Sequence, residues 1–215
     1  METIIKLSDI CFQYEPTRPL LKNINLELKS GEKIGLVGAN GCGKTTLLHL
    51  VVGLQRINSG EIKIFNKIRR EEKDFADVRA KIGLLFQDPE DQLFCPTVWE
   101  DIAFGPLNLG KDHHKAMHIV ADTLESLGLK GYDERITYKL SGGEKRLVSL
   151  ASILAMQPEV LLLDEPICGL DEKTSSHIID ILSQLPLSMI IISHERTILE
   201  KLTTRTILLQ NGNIL

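Results

Sequence analysis

Apolar and polar residues alternate along three stretches early in the chain: residues 4–12 (I-I-K-L-S-D-I-C-F), 20–28 (L-L-K-N-I-N-L-E-L) and 61–65 (E-I-K-I-F). Alternation with period two sets one strand face on a core and the other in water. Ser-Gly turn signals separate the runs, so an antiparallel β lobe is predicted. Within it, residues 33–37 form a short apolar strand that feeds Gly38. Further on the pattern changes to unbroken apolar runs at residues 82–86 (I-G-L-L-F), 160–164 (V-L-L-L-D) and 189–193 (M-I-I-I-S). Such runs are expected of strands buried on both faces. Residues 47–52 (L-L-H-L-V-V) read as a helix that Gly53 can end. Helical segments between apolar strands predict a parallel α/β core.

Residues 89–156 are mostly helical in pattern and lie between two core strands, so they are expected to form an inserted helical subdomain. The tail, I-L-L-Q-N-G-N-I-L, places Asn211-Gly212 between apolar runs, a hairpin signal. With no repeat or linker in view, residues 1–215 read as one domain. Residues 1–88 and 157–215 supply the core with its β lobe, and 89–156 the helical part.

The net charge of −4 leaves no basic footprint for nucleic acid. The first residues have neither a basic start nor a long apolar run, so no secretory signal is expected. No apolar run approaches the roughly 20 residues of a membrane-spanning helix, so a membrane role requires a partner. Cys11, Cys42, Cys95 and Cys168 form no C-x-x-C pair, which fits free thiols in a reducing cytosol.

Chemistry collects at the strand ends. Gly38, Gln87, Glu165 and His194 each follow an apolar strand, and an open α/β sheet binds ligands outside the carboxyl ends of its strands. G-A-N-G-C-G-K-T, from Gly38 through Ala39, Asn40, Gly41, Cys42, Gly43 and Lys44 to Thr45, fits G-x-x-x-x-G-K-[ST] between a strand and a helix. Glycines let backbone N–H groups close on a phosphate, and the helix adds its positive end. Lys44 is expected to reach the β- and γ-phosphates of ATP, and Thr45 to ligate Mg2+. V-L-L-L-D-E matches the acidic strand end that accompanies this loop: Asp164 would hold the metal and Glu165 polarise an attacking water.

A second glycine-rich helix start, L-S-G-G-E, lies about a hundred residues downstream. Ser141 and Glu144 form an S-x-x-E capping box, and Leu147, Leu150, Ala151 and Leu154 follow at helical spacing. Gly142 and Gly143 leave the first amides uncovered, as an anion site requires. One nucleotide needs only one cradle. Two copies placed head to tail resolve the redundancy, each Ser141 helix closing over the ATP held by the other copy's Lys44.

These motifs, with L-L-L-D-E-P, G-L-D (Gly169 to Asp171) and His194, resemble the ABC ATPases in order and spacing over essentially the whole chain. The resemblance implies a P-loop NTPase (RecA-like) core. It makes Gln87 a contact for metal and attacking water, places Asp171 at the dimer seam, and makes His194 a γ-phosphate contact. It sets Tyr14 where an aromatic ring stacks on adenine, and Thr46 beside the phosphates. Glu144 stands where many members have Gln, and Cys42 where Ser is frequent. At a helix N-terminus the Cys42 thiol is expected to be reactive.

Three stretches, Q-D-P-E-D-Q-L-F, P-T-V-W-E-D-I-A-F-G-P-L-N-L-G and L-S-G-G-E-K-R-L-V-S-L-A, resemble more narrowly the ATPases of energy-coupling factor transporters. That family imports cobalt, nickel and vitamins into prokaryotes. The resemblance implies a peripheral subunit on the cytoplasmic face of the membrane. Its partners would be a second ATPase, identical or paralogous, a transmembrane coupling protein near residues 87–94, and a membrane subunit that captures the substrate. Cobalt or nickel is the first expectation for cargo, and biotin or another vitamin the alternative. His113, His114 and His118 also raise a local metal reading, since imidazole suits cobalt and nickel. A soluble ABC ATPase acting on nucleic acid is the rival class. It is disfavoured by the missing basic patch and by the short span between Gln87 and Ser141.

Overall fold

The structure, a computed structural model, describes residues 2–215. β1 (Thr3–Phe12) and β2 (Leu21–Lys29) pair antiparallel. Their inward residues change phase midway. Ile5 and Leu7 are buried, then Ile10 and Phe12; opposite them Leu28, Leu26 and Ile24 give way to Leu21. The register shifts between Leu7 and Ile10, where Asp9 adopts a φ of 51°. The extra residue returns the following side chains to the core. Asn25 pins this bulge: its Oδ1 accepts from the Asp9 N–H at 3.0 Å and its amide donates to Asp9 Oδ1 at 3.0 Å.

β3 (Lys33–Val37) leaves for a second sheet and runs through the glycine loop into α1 (Lys44–Val51). β4 (Ser59–Ile64) and β5 (Lys67–Arg69) return to the first sheet, giving the order β2-β1-β4-β5. α2 (Ala76–Arg79) leads into β6 (Ile82–Leu85). Three helices follow: α3 (Val98–Asn108), α4 (His113–Ser126) and α5 (Gly142–Leu154). Then come β7 (Val160–Asp164), α6 (Glu172–Gln184), β8 (Ser188–Ile192) and α7 (Arg196–Leu202). β9 (Arg205–Gln210) and β10 (Asn213–Ile214) form the hairpin that Asn211-Gly212 predicts.

The second sheet runs β10-β9-β3-β8-β7-β6, with every pair from β9 to β6 parallel. The tail is therefore more than a hairpin, because β9 extends the core sheet beside β3. Strands buried on both faces divide their side chains between two cores. Val160, Leu162, Ile190 and Ile192 face α1 and the antiparallel sheet, while Leu161, Leu163, Met189 and Ile191 face the helical side. On that side α5 buries Leu147, Leu150 and Ala151, as its spacing requires; Leu154 is only partly buried.

Candidate nucleotide site

Because β3, β6, β7 and β8 are parallel neighbours, the residues after each strand emerge at one edge of the sheet. There a cavity of about 750 Å³ is bordered by Lys44, Thr45, Gln87, Asp164, Glu165 and His194. The sequence assigned these residues to one site, and the fold brings them together.

The glycine loop closes tightly over the sheet. A Cβ on Gly38 would stand 2.2 Å from the Leu209 carbonyl oxygen, and one on Gly43, at a φ of 108°, would stand 2.8 Å from Leu21. Gly43 is the N-cap of α1, and no side chain caps the helix. Its first-turn amides are therefore left for an outside acceptor, which is what a phosphate supplies. The buried Lys44 Nζ folds back on the loop, donating to the carbonyls of Gly38 at 2.8 Å and Ala39 at 3.1 Å.

Thr45 and Asp164 meet across the cavity floor, the Thr45 hydroxyl donating to Asp164 Oδ2 at 2.5 Å. Burial pushes the Asp164 carboxyl above the usual carboxylate range, while the Thr45 hydroxyl, His49 and Lys44 act the other way. Two hard oxygen donors side by side fit Mg2+, which takes one or two protein ligands and shares the rest with phosphate and water. Among the described residues no cluster of three His, Cys, Asp or Glu forms a self-sufficient metal cage.

Glu165 follows directly in the left-handed region, at a φ of 48°. For a residue other than glycine that conformation costs about 1–3 kcal/mol, and such strain collects at functional sites. Its backbone N–H is held by the Ile192 carbonyl at 3.0 Å. One carboxylate oxygen, Oε2, accepts from the His194 N–H at 3.3 Å. The other, Oε1, is buried without a hydrogen bond, although His194 Nε2 lies 3.4 Å away. Burial raises the Glu165 pKa, opposed by the His194 N–H and ring.

Tyr14, a residue 61% exposed, lines the same cavity with its ring edge-on to Phe12 at 4.8 Å. Its hydroxyl and the Thr46 hydroxyl lie 3.1 Å apart in a hydrogen bond. Asn40, Gly41 and Gly43 complete the loop side of the cavity. Cys42 does not line it: the thiol, expected to react at the helix start, packs against the first core beside Gly38. Its side chain is half-buried and turned toward Gly38 and the core.

Ser141, Gly142, Gly143, Glu144 and Asp171 are not brought to the cavity. The Ser141–Glu144 capping box forms, and Gly142 borders a separate hollow of about 460 Å³ beside Gln87 and Arg146. Asp171 caps α6, accepting from the Thr174 N–H at 3.0 Å. The histidines part company: the His114 and His118 rings meet edge to face, 4.6 Å apart, while His113 lies against Trp99 at 5.0 Å.

Two contributors escape the sequence reading. Arg18, in the loop after Tyr14, borders the cavity. Arg146, only 3% exposed, reaches from α5 to the segment after β6, donating to the carbonyls of Phe86 at 2.6 Å and Gln87 at 2.5 Å. Burial lowers its pKa. Its one signal is a lone arginine amid the buried positions of an amphipathic helix. Gln92 adds a second tie, its amide donating to the Ser149 carbonyl at 2.8 Å and the Ser152 hydroxyl at 3.0 Å.

Comparison with known proteins gives the same picture. The family model described as ABC transporter matches residues 21–168. A putative ABC transporter ATP-binding protein of Brucella suis is 54% identical over 92% of this chain and 82% of its own. The energy-coupling factor transporter ATP-binding protein EcfA of Methanothermobacter thermautotrophicus is 39% identical over 99% of this chain and 70% of its own. Among solved structures, cbiO1 from Clostridium perfringens, part of the ABC transporter complex cbiONQ, superposes with a TM-score of 0.88. It is 32% identical, and the match covers 100% of this chain and 88% of that one. No helix among the described residues is long and apolar enough to cross a membrane. With its phosphate loop, its paired strand-end carboxylates and these relatives, the chain belongs to the ABC transporter family as an ATP-binding cassette, a subunit that hydrolyses ATP with Mg2+.

Proposed function

We propose that this cassette is the ATPase of an energy-coupling factor importer, working as a head-to-tail pair on the cytoplasmic face of a prokaryotic membrane. One observation carries the reading. The Ser141 helix start is open to solvent and lies outside its own chain's cavity. It therefore has a phosphate to meet only on another subunit. The relative named as an energy-coupling factor ATPase and the cbiO1 neighbour support the transporter type.

In this reading Lys44 exchanges its loop carbonyls for the β- and γ-phosphates, and the α1 amides hold the same oxygens. Thr45, Asp164 and Gln87 would hold Mg2+, which when bound neutralises phosphate charge. The Glu165 Oε1, buried and free, orients the attacking water and takes its proton, while His194 contacts the γ-phosphate. Tyr14 stacks on adenine. Ser141 to Glu144 and Asp171 complete the site across the seam. Closure follows because ATP binds the paired state better than the separate one. Residues 87–94 carry the motion to the transmembrane coupling protein, and Arg146 and Gln92 bind that segment to α5.

Cobalt or nickel ion is the proposed cargo, captured by a separate membrane subunit. The test is reconstitution of the co-purified membrane complex in vesicles loaded with ATP, with uptake of cobalt, nickel and biotin measured in parallel. Metal uptake supports the full proposal, and biotin uptake moves the cargo to the vitamin class. Recovery of nucleic acid instead of membrane proteins would overturn the transporter reading.

A further inference from the structure

Glu144 occupies the third position of α5, at the helix start that the proposed pairing turns toward a partner's ATP. An unbalanced carboxylate there has the wrong sign for a neighbouring phosphate. The structure accounts for both of its oxygens. Oε2 accepts from the Ser141 N–H at 2.8 Å. Oε1 accepts from the Tyr132 hydroxyl at 2.8 Å and from the Arg135 guanidinium at 3.0 Å. Arg135 also lies over the Tyr132 ring, its Cζ 3.5 Å from the centroid. One turn holds the pair, the Arg135 N–H donating to the Tyr132 carbonyl at 2.9 Å, and the Arg135 carbonyl accepts from the Val98 N–H at 3.0 Å. The clamp is thereby fixed to the start of α3. The hydrogen bonds from Ser141 and Tyr132 and the charge of Arg135 keep Glu144 ionised, its pKa below the usual range. At the adjoining Gly142, nothing stands within 4 Å of where a Cβ would be. Gly142 itself is exposed, so the helix start carries no side chain over its first residue.

We propose that Tyr132 and Arg135 are positioning residues that engage the Glu144 carboxylate and offset its charge, so that the α5 start stays receptive to the γ-phosphate of ATP held by the partner subunit. The inference rests on the head-to-tail reading above. It explains how this chain carries Glu at that position without repelling the ligand: the compensating cation comes from the preceding loop.

The test is steady-state ATPase kinetics of the assembled transporter, with thermal unfolding as a check on folding. Arg135→Ala is expected to raise KM for ATP about three- to tenfold at low ionic strength, with kcat changed less. Near 0.5 M salt the defect shrinks, because the uncovered charge is screened. Arg135→Gln, which keeps a donor without the charge, gives the same salt-dependent defect, and Arg135→Lys restores most of the affinity. Within E144Q, Arg135→Ala changes KM by less than about twofold, since no charge remains to offset. An equal penalty in both backgrounds, or one insensitive to salt, would overturn the proposal in favour of a packing role. Ser141→Arg separates the two levels. If it leaves turnover intact, the head-to-tail reading itself fails. If it abolishes turnover while Arg135→Ala costs the same with Glu or Gln at position 144, only the clamp fails.

Discussion

Glu165 and His194 face each other across 3.4 Å, and the carboxylate oxygen nearest the imidazole makes no hydrogen bond. At the mouth of a phosphate loop, that oxygen is placed to accept from a water or hydroxyl that enters the cavity. Glu165→Gln is expected to keep ATP binding and to lower turnover by about 10²-fold or more, leaving a closed ATP-bound pair. Phosphate release and gel filtration with ATP check both halves.

The same carboxyl carries a stability signature. Burial raises the folded-state pKa of Glu165, so the native state holds the proton more tightly than the unfolded chain. Its contribution is therefore fully favourable below the ordinary glutamate pKa and is lost as pH rises through the folded value. Without nucleotide, Glu165→Gln is expected to raise Tm by about 2–6 °C at neutral pH. The gain should shrink as the solution is acidified, when the wild-type carboxyl is itself protonated. A Tm series against pH decides this, and a pH-independent gain would point to packing.

Arg146 is a strut between α5 and the segment after β6. Arg146→Met keeps the stem but strands the Phe86 and Gln87 carbonyls that the guanidinium satisfied. A loss of about 2–4 kcal/mol in urea unfolding is expected. In the assembled complex, transport is expected to fall further than ATP hydrolysis, because the segment proposed to meet the coupling protein loses its tie to α5.

Much of this site could be read from spacing alone, because phosphate chemistry constrains it locally. A glycine loop between strand and helix, or two carboxylates at an apolar strand end, has few other uses at those distances. The β lobe was legible for a similar reason, since period-two alternation survives without knowledge of the partner strand. The bulge at Asp9 was not, because a phase slip acquires meaning only when both strands are paired. Nor was the parallel seat of β9 beside β3, a contact between opposite ends of the chain. Arg146 resembles any surface arginine until the helix is docked, and the clamp of Tyr132 and Arg135 lies in a loop with no period to betray it. The inward turn of Cys42 was hidden too, since a glycine loop's sequence does not say which way each of its side chains faces.

Tyr14 separates two contributions. Tyr14→Phe removes only the hydroxyl bonded to Thr46, and KM for ATP is expected to stay within about twofold. Tyr14→Ala removes the ring, and a stacking loss of about 1–2 kcal/mol corresponds to a KM rise of about five- to thirtyfold. Equal effects of both variants would assign Tyr14 to the loop's own packing.

Pairing can be tested by mixing two inactive subunits. Lys44→Ala removes the cradle and Ser141→Arg the cap, so neither forms a complete site alone. In a pair that combines them, the intact Lys44 of one meets the intact Ser141 of the other. Statistical mixing of equal amounts of independent sites then restores turnover toward a ceiling of roughly a quarter of wild type. Activity that stays at background at every mixing ratio would argue that both motifs serve the nucleotide of a single chain.

The central strands send alternate residues to opposite sides, Leu162 to one core and Leu161 and Leu163 to the other. The polypeptide itself is thus a party wall between two interiors. Neighbouring letters in the chain belong to different rooms, and a repacking in one is insulated from the other by a full thickness of hydrogen-bonded backbone. A lineage with this arrangement can refurnish the helical side for a new docking partner while the fuel-handling side is left as it was.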